Sequence, residues 1–178
     1  GSSISKRLKK TAEQERKIRE INEAFWSGRE TISASDRIVL KRVQESDRED
    51  YVRLRRNYVL SSKVIEAETY WDTIWREHTG NDALMFSVFH ENEYVGYCGI
   101  NHVTEEPWEI AIELLPEKTG QGIGFSAVTA MLKEIKCRLD VSDYRVFVDP
   151  QNNASQRLFE KLGAIPNGIA EFALHDSE

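Results

Sequence analysis

Three glycines at alternate positions, Gly120, Gly122 and Gly124, stand between an apolar stretch of period two and a stretch of helical period. Glycine lacks the Cβ that would hold a bulky anion away from the backbone. The first turn of the helix that follows offers free N–H groups and the positive end of its dipole. Such a turn is a cradle for a diphosphate, and spacing separates the chemistries that use one. A nucleotide P-loop ends on Gly-Lys-Ser/Thr, whereas Phe125-Ser126 follows Gly124. A dinucleotide fingerprint runs G-x-G-x-x-G, whereas these glycines run G-x-G-x-G. Just upstream, period two places Glu109, Ala111 and Glu113 on one face of a strand, so the strand before the turn carries two carboxylates on the same side.

The elements that position these residues follow from periodicity. A charged segment over 5–26 is rich in helix formers, with Ile18, Ile21 and Phe25 at i, i+3 and i+7, and Ser27-Gly28 stops it. It is expected as a helical arm, either a solvated helix laid on the domain or a dimerisation arm. A polar linker over 29–36 then precedes a strand at 38–43. Ser46-Asp47-Arg48-Glu49 has the form of a capping box, opening a helix to about residue 59. A second helix is expected over 66–78, with Tyr70, Ile74 and Trp75 inward. Strands follow at 83–89, 94–103 and 109–115, the first two joined as a hairpin at Glu91-Asn92. The glycine turn leads into an amphipathic helix at 123–139, with Ala127, Val128, Met131, Leu132 and Ile135 on one face. Then come a strand at 144–148, a short helix at 153–162 ended by Gly163, and a strand at 169–174. Strand-helix-strand order implies a parallel or mixed sheet covered by helices.

Thr119-Gly120-Gln121-Gly122-Ile123-Gly124 fits the Arg/Gln-x-x-Gly-x-Gly/Ala turn of acetyl-CoA-dependent transferases except at its first position. There Thr119 replaces the usual basic or amide residue, and Lys118 is the neighbouring cation. One strand later, Asp149-Pro150-Gln151-Asn152-Asn153-Ala154-Ser155-Gln156-Arg157-Leu158-Phe159-Glu160-Lys161-Leu162-Gly163 closely resembles the Asn-x-x-Ser…Glu-Lys-Leu-Gly-Phe helix of the GNAT N-acetyltransferases. The resemblance is strongest to their ribosomal-protein-acetyltransferase-like branch. Ala164 replaces the final aromatic. Trp108 to Glu117 is similar to that family's central strand, and the likeness runs over about 38–174. It implies an α/β (α+β) fold, with a mixed, mostly antiparallel central sheet flanked by helices. An N-terminal arm and linker would occupy 1–36, and an acyl-CoA-binding transferase domain 37–178.

The resemblance also implies roles. Backbone groups of Thr119, Gly120, Gln121, Gly122, Ile123 and Gly124 would hold the CoA diphosphate, and those of Ile112 to Leu114 the pantetheine arm. Asn152 would bond the cofactor arm, or serve only as a helix cap. Ser155 would sit near the thioester sulfur, or be an ordinary first-turn residue. Phe159 stands where many relatives carry an acid tyrosine, which shifts weight to Ser155. A free amine is mostly protonated at neutral pH, so attack on a thioester needs a base. Glu109 is the first candidate; Glu113 and His102 are the others. The expected reaction is acetyl transfer from acetyl-CoA, as co-substrate, to a primary amine of a protein N-terminus, a peptide or a small molecule. A non-catalytic CoA-binding or partner-interaction module is the alternative.

Composition narrows the partners. With 24 basic and 30 acidic residues, formal charge -6, the chain lacks the basic balance of a nucleic-acid binder. No apolar run approaches the roughly 20 residues that span a bilayer, and a cytoplasmic location is expected. Cys98 and Cys137 have neither the spacing of a zinc site nor that of a disulfide framework, so no metal is expected.

Overall fold

Eight strands form one sheet, in the order β1-β2-β3-β4-β5-β6-β8-β7, in a computed structural model that describes residues 9–58, 68–166 and 171–175. They are β1 Thr31–Ser33, β2 Ile38–Arg42, β3 Leu84–His90, β4 Glu93–Ile100, β5 Trp108–Leu114, β6 Asp143–Phe147, β7 Ile165–Pro166 and β8 Glu171–His175. Every neighbouring pair is antiparallel except β5 and β6, which run parallel. The expected mixed, mostly antiparallel sheet is what forms. At the β3–β4 hairpin Glu91 and Asn92 both take positive φ, 52° and 68°, the conformation of a tight two-residue hairpin turn.

Among the described residues five α-helices cover the sheet: α1 Ala12–Trp26, α2 Arg48–Arg56, α3 Glu68–His78, α4 Ile123–Leu139 and α5 Asn153–Lys161. Period two in β3 divides the core. Leu84, Phe86 and Val88 point into a cluster with α1 and α4, while Met85 points into a second cluster with Tyr51 of α2 and Trp75 of α3. Helix α4 keeps the bounds expected from its periodicity. Ala127, Val128, Met131, Leu132 and Ile135 are all buried, as the apolar stripe requires.

The N-terminal segment is less detachable than the sequence suggests. Its helix starts at Ala12, where Thr11 and Gln14 exchange side-chain-to-backbone hydrogen bonds in a capping box; residues 5–8 of the expected helix lie outside the described residues. Ile18, Phe25 and Trp26 are at most 5% exposed and belong to the main core. Burial of each such side chain contributes roughly 1.5–3 kcal/mol. Arg138 of α4 donates to the carbonyls of Phe25 (2.7 Å) and Arg29 (3.1 Å), tying the end of α1 to α4. The polar linker over 29–36 contains β1, which pairs with β2 and buries Ile32. Three residues are too few for a periodic signal, so Thr-Ile-Ser between polar neighbours reads as loop.

Smaller corrections have local causes. Asp47, rather than Ser46 and Glu49, makes the capping contact, accepting from the Gln44 N–H at 2.9 Å and from Ser87 at 2.8 Å. Helix α2 ends at Arg56 rather than near 59. Helix α3 is described from Glu68, residues 66 and 67 of the expected helix lying outside the described residues, and it buries Trp71 and Trp75, with Tyr70 and Ile74 half-buried.

Two strands part where the chemistry is expected. β4 and β5 stay paired from Ile100↔Ile110 to Gly96↔Leu114, but β5 and β6 pair only at Trp108↔Tyr144 and Glu109↔Arg145. Beyond Glu109 the sheet splits.

Candidate active site

The glycine turn lies at the head of α4, and its glycines are there for two different reasons. Gly120 and Gly122 have φ of +76° and +83°, a region that side-chain-bearing residues rarely adopt, and a Cβ on either would meet nothing within 4 Å. The space in front of them is therefore open. At Gly124 a Cβ would lie 3.3 Å from Leu158 of α5 and 3.4 Å from Ile112 of β5, so that glycine lets α4, α5 and β5 close together. Gly122 is the residue that opens α4, so the N–H groups after it have no carbonyl a turn earlier to bond. They are free to receive an anion.

The split between β5 and β6 exposes a strand edge to the same space. Asn101 N–H donates to Glu109 C=O and Leu115 N–H to Val95 C=O, so odd-numbered residues of β5 turn their backbone groups toward β4. Even-numbered ones, Ile112 and Leu114 among them, turn theirs to the opposite edge, where β6 has left. Tyr58 donates its hydroxyl to the carbonyl of Leu114. An extended chain carrying amides can add to such an edge.

Helix α5 closes the third side. Asn152 is its N-cap, and its Oδ1 accepts from the Ser155 N–H at 3.0 Å. The cap engages the amide oxygen, so the Nδ2 hydrogens remain available as donors. Turn, strand edge and cap line one cleft of about 770 Å³, which includes Ile112, Leu114, Thr119, Gly120, Gly122, Gly124, Asn152 and Ser155. Glu113 lines it too, so of the positions that the resemblance gives to the cofactor all but two meet here. Gln121 and Ile123 do not. The Gln121 side chain donates to Glu117 C=O at 2.8 Å, and Ile123 is 2% exposed in the core, so only their backbones can serve.

Behind Ser155 lies a smaller cavity of about 170 Å³, lined by Glu109, Asn101, His78, Tyr97, Ser155 and Phe159 among others. Ser155 borders both spaces, so a group seated in the large one can be met there by a group from the small one. Glu109 accepts a hydrogen bond from the Asn101 amide and lies 4.0 Å from Arg145. Phe159, 1% exposed, brings a ring without a hydroxyl. The other two base candidates are engaged elsewhere. Glu113 takes both oxygens to Arg55 Nη1 at 2.8 Å; burial raises its pKa, with Arg55 opposing. His102 sits between Asp82 (3.1 Å) and Glu77 (3.6 Å).

Sequence reasoning missed several residues of this region. His78, the last residue of α3, pairs through Nδ1 with the Tyr51 hydroxyl at 2.6 Å, and its ring centroid lies 5.1 Å from that of Tyr97. Burial, then the charges of Arg55 and His102, lower its pKa to about 4. The neighbouring cation for the turn is also different. Lys118 faces another hollow, beside Asp50 and Glu117, while Arg157 and Lys161 of α5 line the cleft. Helical spacing of i and i+4 could have placed those two on one face, but not which face. Burial pushes the Cys98 thiol up to about 12, which removes it as a nucleophile. Among the described residues no group of three His, Cys, Asp or Glu could hold a metal ion, and no helix is long and apolar enough to cross a membrane.

Known proteins share the fold. The sequence profile described as the acetyltransferase (GNAT) domain matches residues 37–165. No curated protein sequence matches the chain significantly. Among solved structures, Mycobacterium smegmatis RimJ in complex with CoA-disulfide is similar at TM-score 0.65 and 20% identity, over 82% of this chain and 87% of that one. A Salmonella typhimurium acetyl transferase that modifies the N-terminal serine of 50S ribosomal subunit protein L7/L12 is similar at TM-score 0.61 and 20% identity, over 82% and 99%. A GNAT-family acetyltransferase from Bacillus anthracis is similar at TM-score 0.67 and 19% identity, over 83% and 99%.

Proposed function

The chain belongs to the GNAT acetyltransferase family, and from that premise we propose that it acetylates the free α-amine of a peptide or protein with acetyl-CoA as donor. One observation carries the reading. Two separately recognisable motifs, the glycine turn and the Asn152 cap, open onto a single cleft at the split between β5 and β6. CoA seen with the similar RimJ fits that supply of backbone donors.

The bound acetyl-CoA supplies a thioester, an acyl group activated for transfer to nitrogen. The protein's part is to place and assist. N–H groups after Gly120 and Gly122 hold the diphosphate, where the dipole of α4 adds attraction. Ile112 and Leu114 offer their outward backbone groups to the amides of the arm. That leaves Ser155 at the far end, its hydroxyl donating to the sulfur as the C–S bond breaks and the thiolate leaves. Glu109 receives the proton that the amine must lose as its C–N bond forms, and Asn101 holds the carboxylate in place. Phe159 cannot give a proton to the sulfur, so hydrogen bonding from Ser155 stands in its place.

Two features support an α-amine over lysine. The cavity beside Glu109 is about 170 Å³, room for an amine and a small side chain. An α-amine also loses its proton about two to three pKa units more readily than lysine, an advantage of about 3 kcal/mol. The similar Salmonella protein acts on an N-terminal serine. A cytoplasmic setting goes with this reading, since both cysteines are free and Cys137 is exposed.

The test is turnover. Acetyl-CoA is mixed with peptides of varied N-terminal residue, Nα-blocked lysine peptides and polyamines, and thiol release and acetylated product are read. Small N-terminal residues should give the fastest release. Equal rates with blocked lysine peptides would overturn the α-amine assignment, and no acceleration by any amine would overturn the transferase reading.

A further inference from the structure

We propose that His78 is a specificity-determining residue for the acceptor, its imidazole Nε2–H donating to the carbonyl oxygen of the residue whose α-amine is acetylated. The inference rests on the α-amine reading above and names the group that would recognise such an amine.

The sheet supplies the frame. The small cavity takes Ile110, Val146 and Phe159 from the main core, and Tyr97 from the second cluster with Ala111 packed against it. It therefore crosses the sheet where β5 and β6 have parted. On the α5 side it meets Ser155, which also borders the cleft; on the other side it meets His78, the last residue of α3. That second side is left for the acceptor. There the β4–β5 register sets Tyr97 opposite Glu113 and Gly99 opposite Ala111, while Asn101 bonds Glu109. The Gly99–Ala111 pair is small, which leaves room over the strands between the two carboxylates.

Tyr51 decides which ring nitrogen carries the proton. Its buried hydroxyl has one hydrogen-bond partner among the described residues, His78 Nδ1 at 2.6 Å. Donation from the phenol satisfies its hydrogen; donation the other way would leave that hydrogen buried without an acceptor. The imidazole proton is thus on Nε2. Burial, then the charges of Arg55 and His102, keep the ring neutral near pH 7, so it has a single N–H to offer. The Tyr51 and Tyr97 rings hold its plane, at 5.2 and 5.1 Å between centroids. Neighbouring donors are committed, the Asn101 amide to Glu109 and the Tyr97 hydroxyl to Glu113.

A carbonyl oxygen accepts and has no proton of its own, which matches a lone N–H. In a peptide it lies about 3 Å from the α-nitrogen of its own residue, so an amine beside Glu109 brings it along. A lysine ε-amine brings a methylene stem instead and leaves the N–H without a partner.

The experiment measures kcat/KM for an alanyl peptide and for its first-residue thioamide, in which sulfur, a weaker acceptor, replaces that one oxygen. The proteins are wild type, His78→Phe, His78→Gln and Tyr51→Phe. A ratio of the two peptides taken within one protein does not depend on how much of it is folded. His78→Phe keeps a ring without a donor, so its ratio gives the intrinsic difference between the peptides. Wild type should exceed that ratio roughly fivefold or more. His78→Gln retains an N–H and should keep part of the excess, and Tyr51→Phe, which frees the tautomer, should lose part of it. Acetyl-CoA affinity should stay within about twofold in all of them. Equal ratios in wild type and His78→Phe would overturn the role of His78 and leave the α-amine reading intact. Faster turnover of an Nα-blocked lysine peptide than of the alanyl peptide by wild type would instead sink the α-amine reading.

Discussion

Glu109 and Ser155 line the same small cavity from two elements, Glu109 from β5 and Ser155 from the first turn of α5. Glu109→Gln keeps the shape and the Asn101 contact but cannot take a proton. It should lower the rate of acetyl transfer by about a hundredfold or more, and leave CoA affinity within about threefold. Under the proposed mechanism Ser155→Ala removes one hydrogen bond to the leaving thiolate and should cost about 10- to 100-fold in rate. Rates and calorimetry on the purified variants check both, and wild-type turnover in each would return the two residues to structural roles. His78 gives a pH effect of definite sign. Its folded pKa of about 4 lies below the usual 6.5, so between those values the unfolded chain binds the proton more readily. Stability contributed by neutral His78 is complete above pH 6.5 and is lost as pH falls toward 4, by up to about 3 kcal/mol. Glu113, raised by burial, opposes this slope at the acid end. Denaturant melts of wild type and His78→Gln from pH 7 to 4.5 should show a shallower pH dependence in the variant. Equal slopes would remove His78 from the account.

At the scale of elements, α1 is part of the core. Deleting residues 1–28 removes Ile18, Phe25 and Trp26 from the main cluster and exposes Phe86, which is 6.0 Å from the Phe25 ring. The truncated chain should lose cooperative unfolding or drop by more than about 4 kcal/mol, and Phe25→Ala alone by about 3–5 kcal/mol. Thermal melts followed by circular dichroism decide, and an unchanged midpoint after truncation would make the arm an appendage. The sequence points the other way here because the buried positions on α1 sit in a background of charge, and because β1 is only three residues long. Helix α4 was legible to the residue, since five apolar side chains at helical spacing follow a turn that only glycines can make. The split between β5 and β6 was not legible in spacing. It depends on how α5 packs beside the two strands, where Ser155 and Phe159 line the small cavity with Ile110, Ile112 and Val146, and that is tertiary packing. Likewise Lys118 adjoins the turn in sequence but faces away, while Lys161 reaches the turn across space.

For the whole molecule, the two halves of the cleft come from distant parts of the chain, and a ligand that touches both should couple them. The turn belongs to α4, the cap to α5 and the amide-bearing edge to β5, so acetyl-CoA would bridge three elements that close together at Gly124. Binding confined to the folded state raises stability by about 2.7 kcal/mol at a hundredfold excess over Kd. Gly122→Glu sets a side chain at φ +83° and a carboxylate in the open space of the cradle, so it opposes the diphosphate both by strain and by charge. The most direct measurement is the thermal midpoint with and without millimolar acetyl-CoA, in wild type and in Gly122→Glu. An upward shift of several degrees in wild type, absent in the folded variant, is the predicted result. A wild-type midpoint that does not move, or one that moves equally in both proteins, would contradict an acetyl-CoA site at the glycine turn.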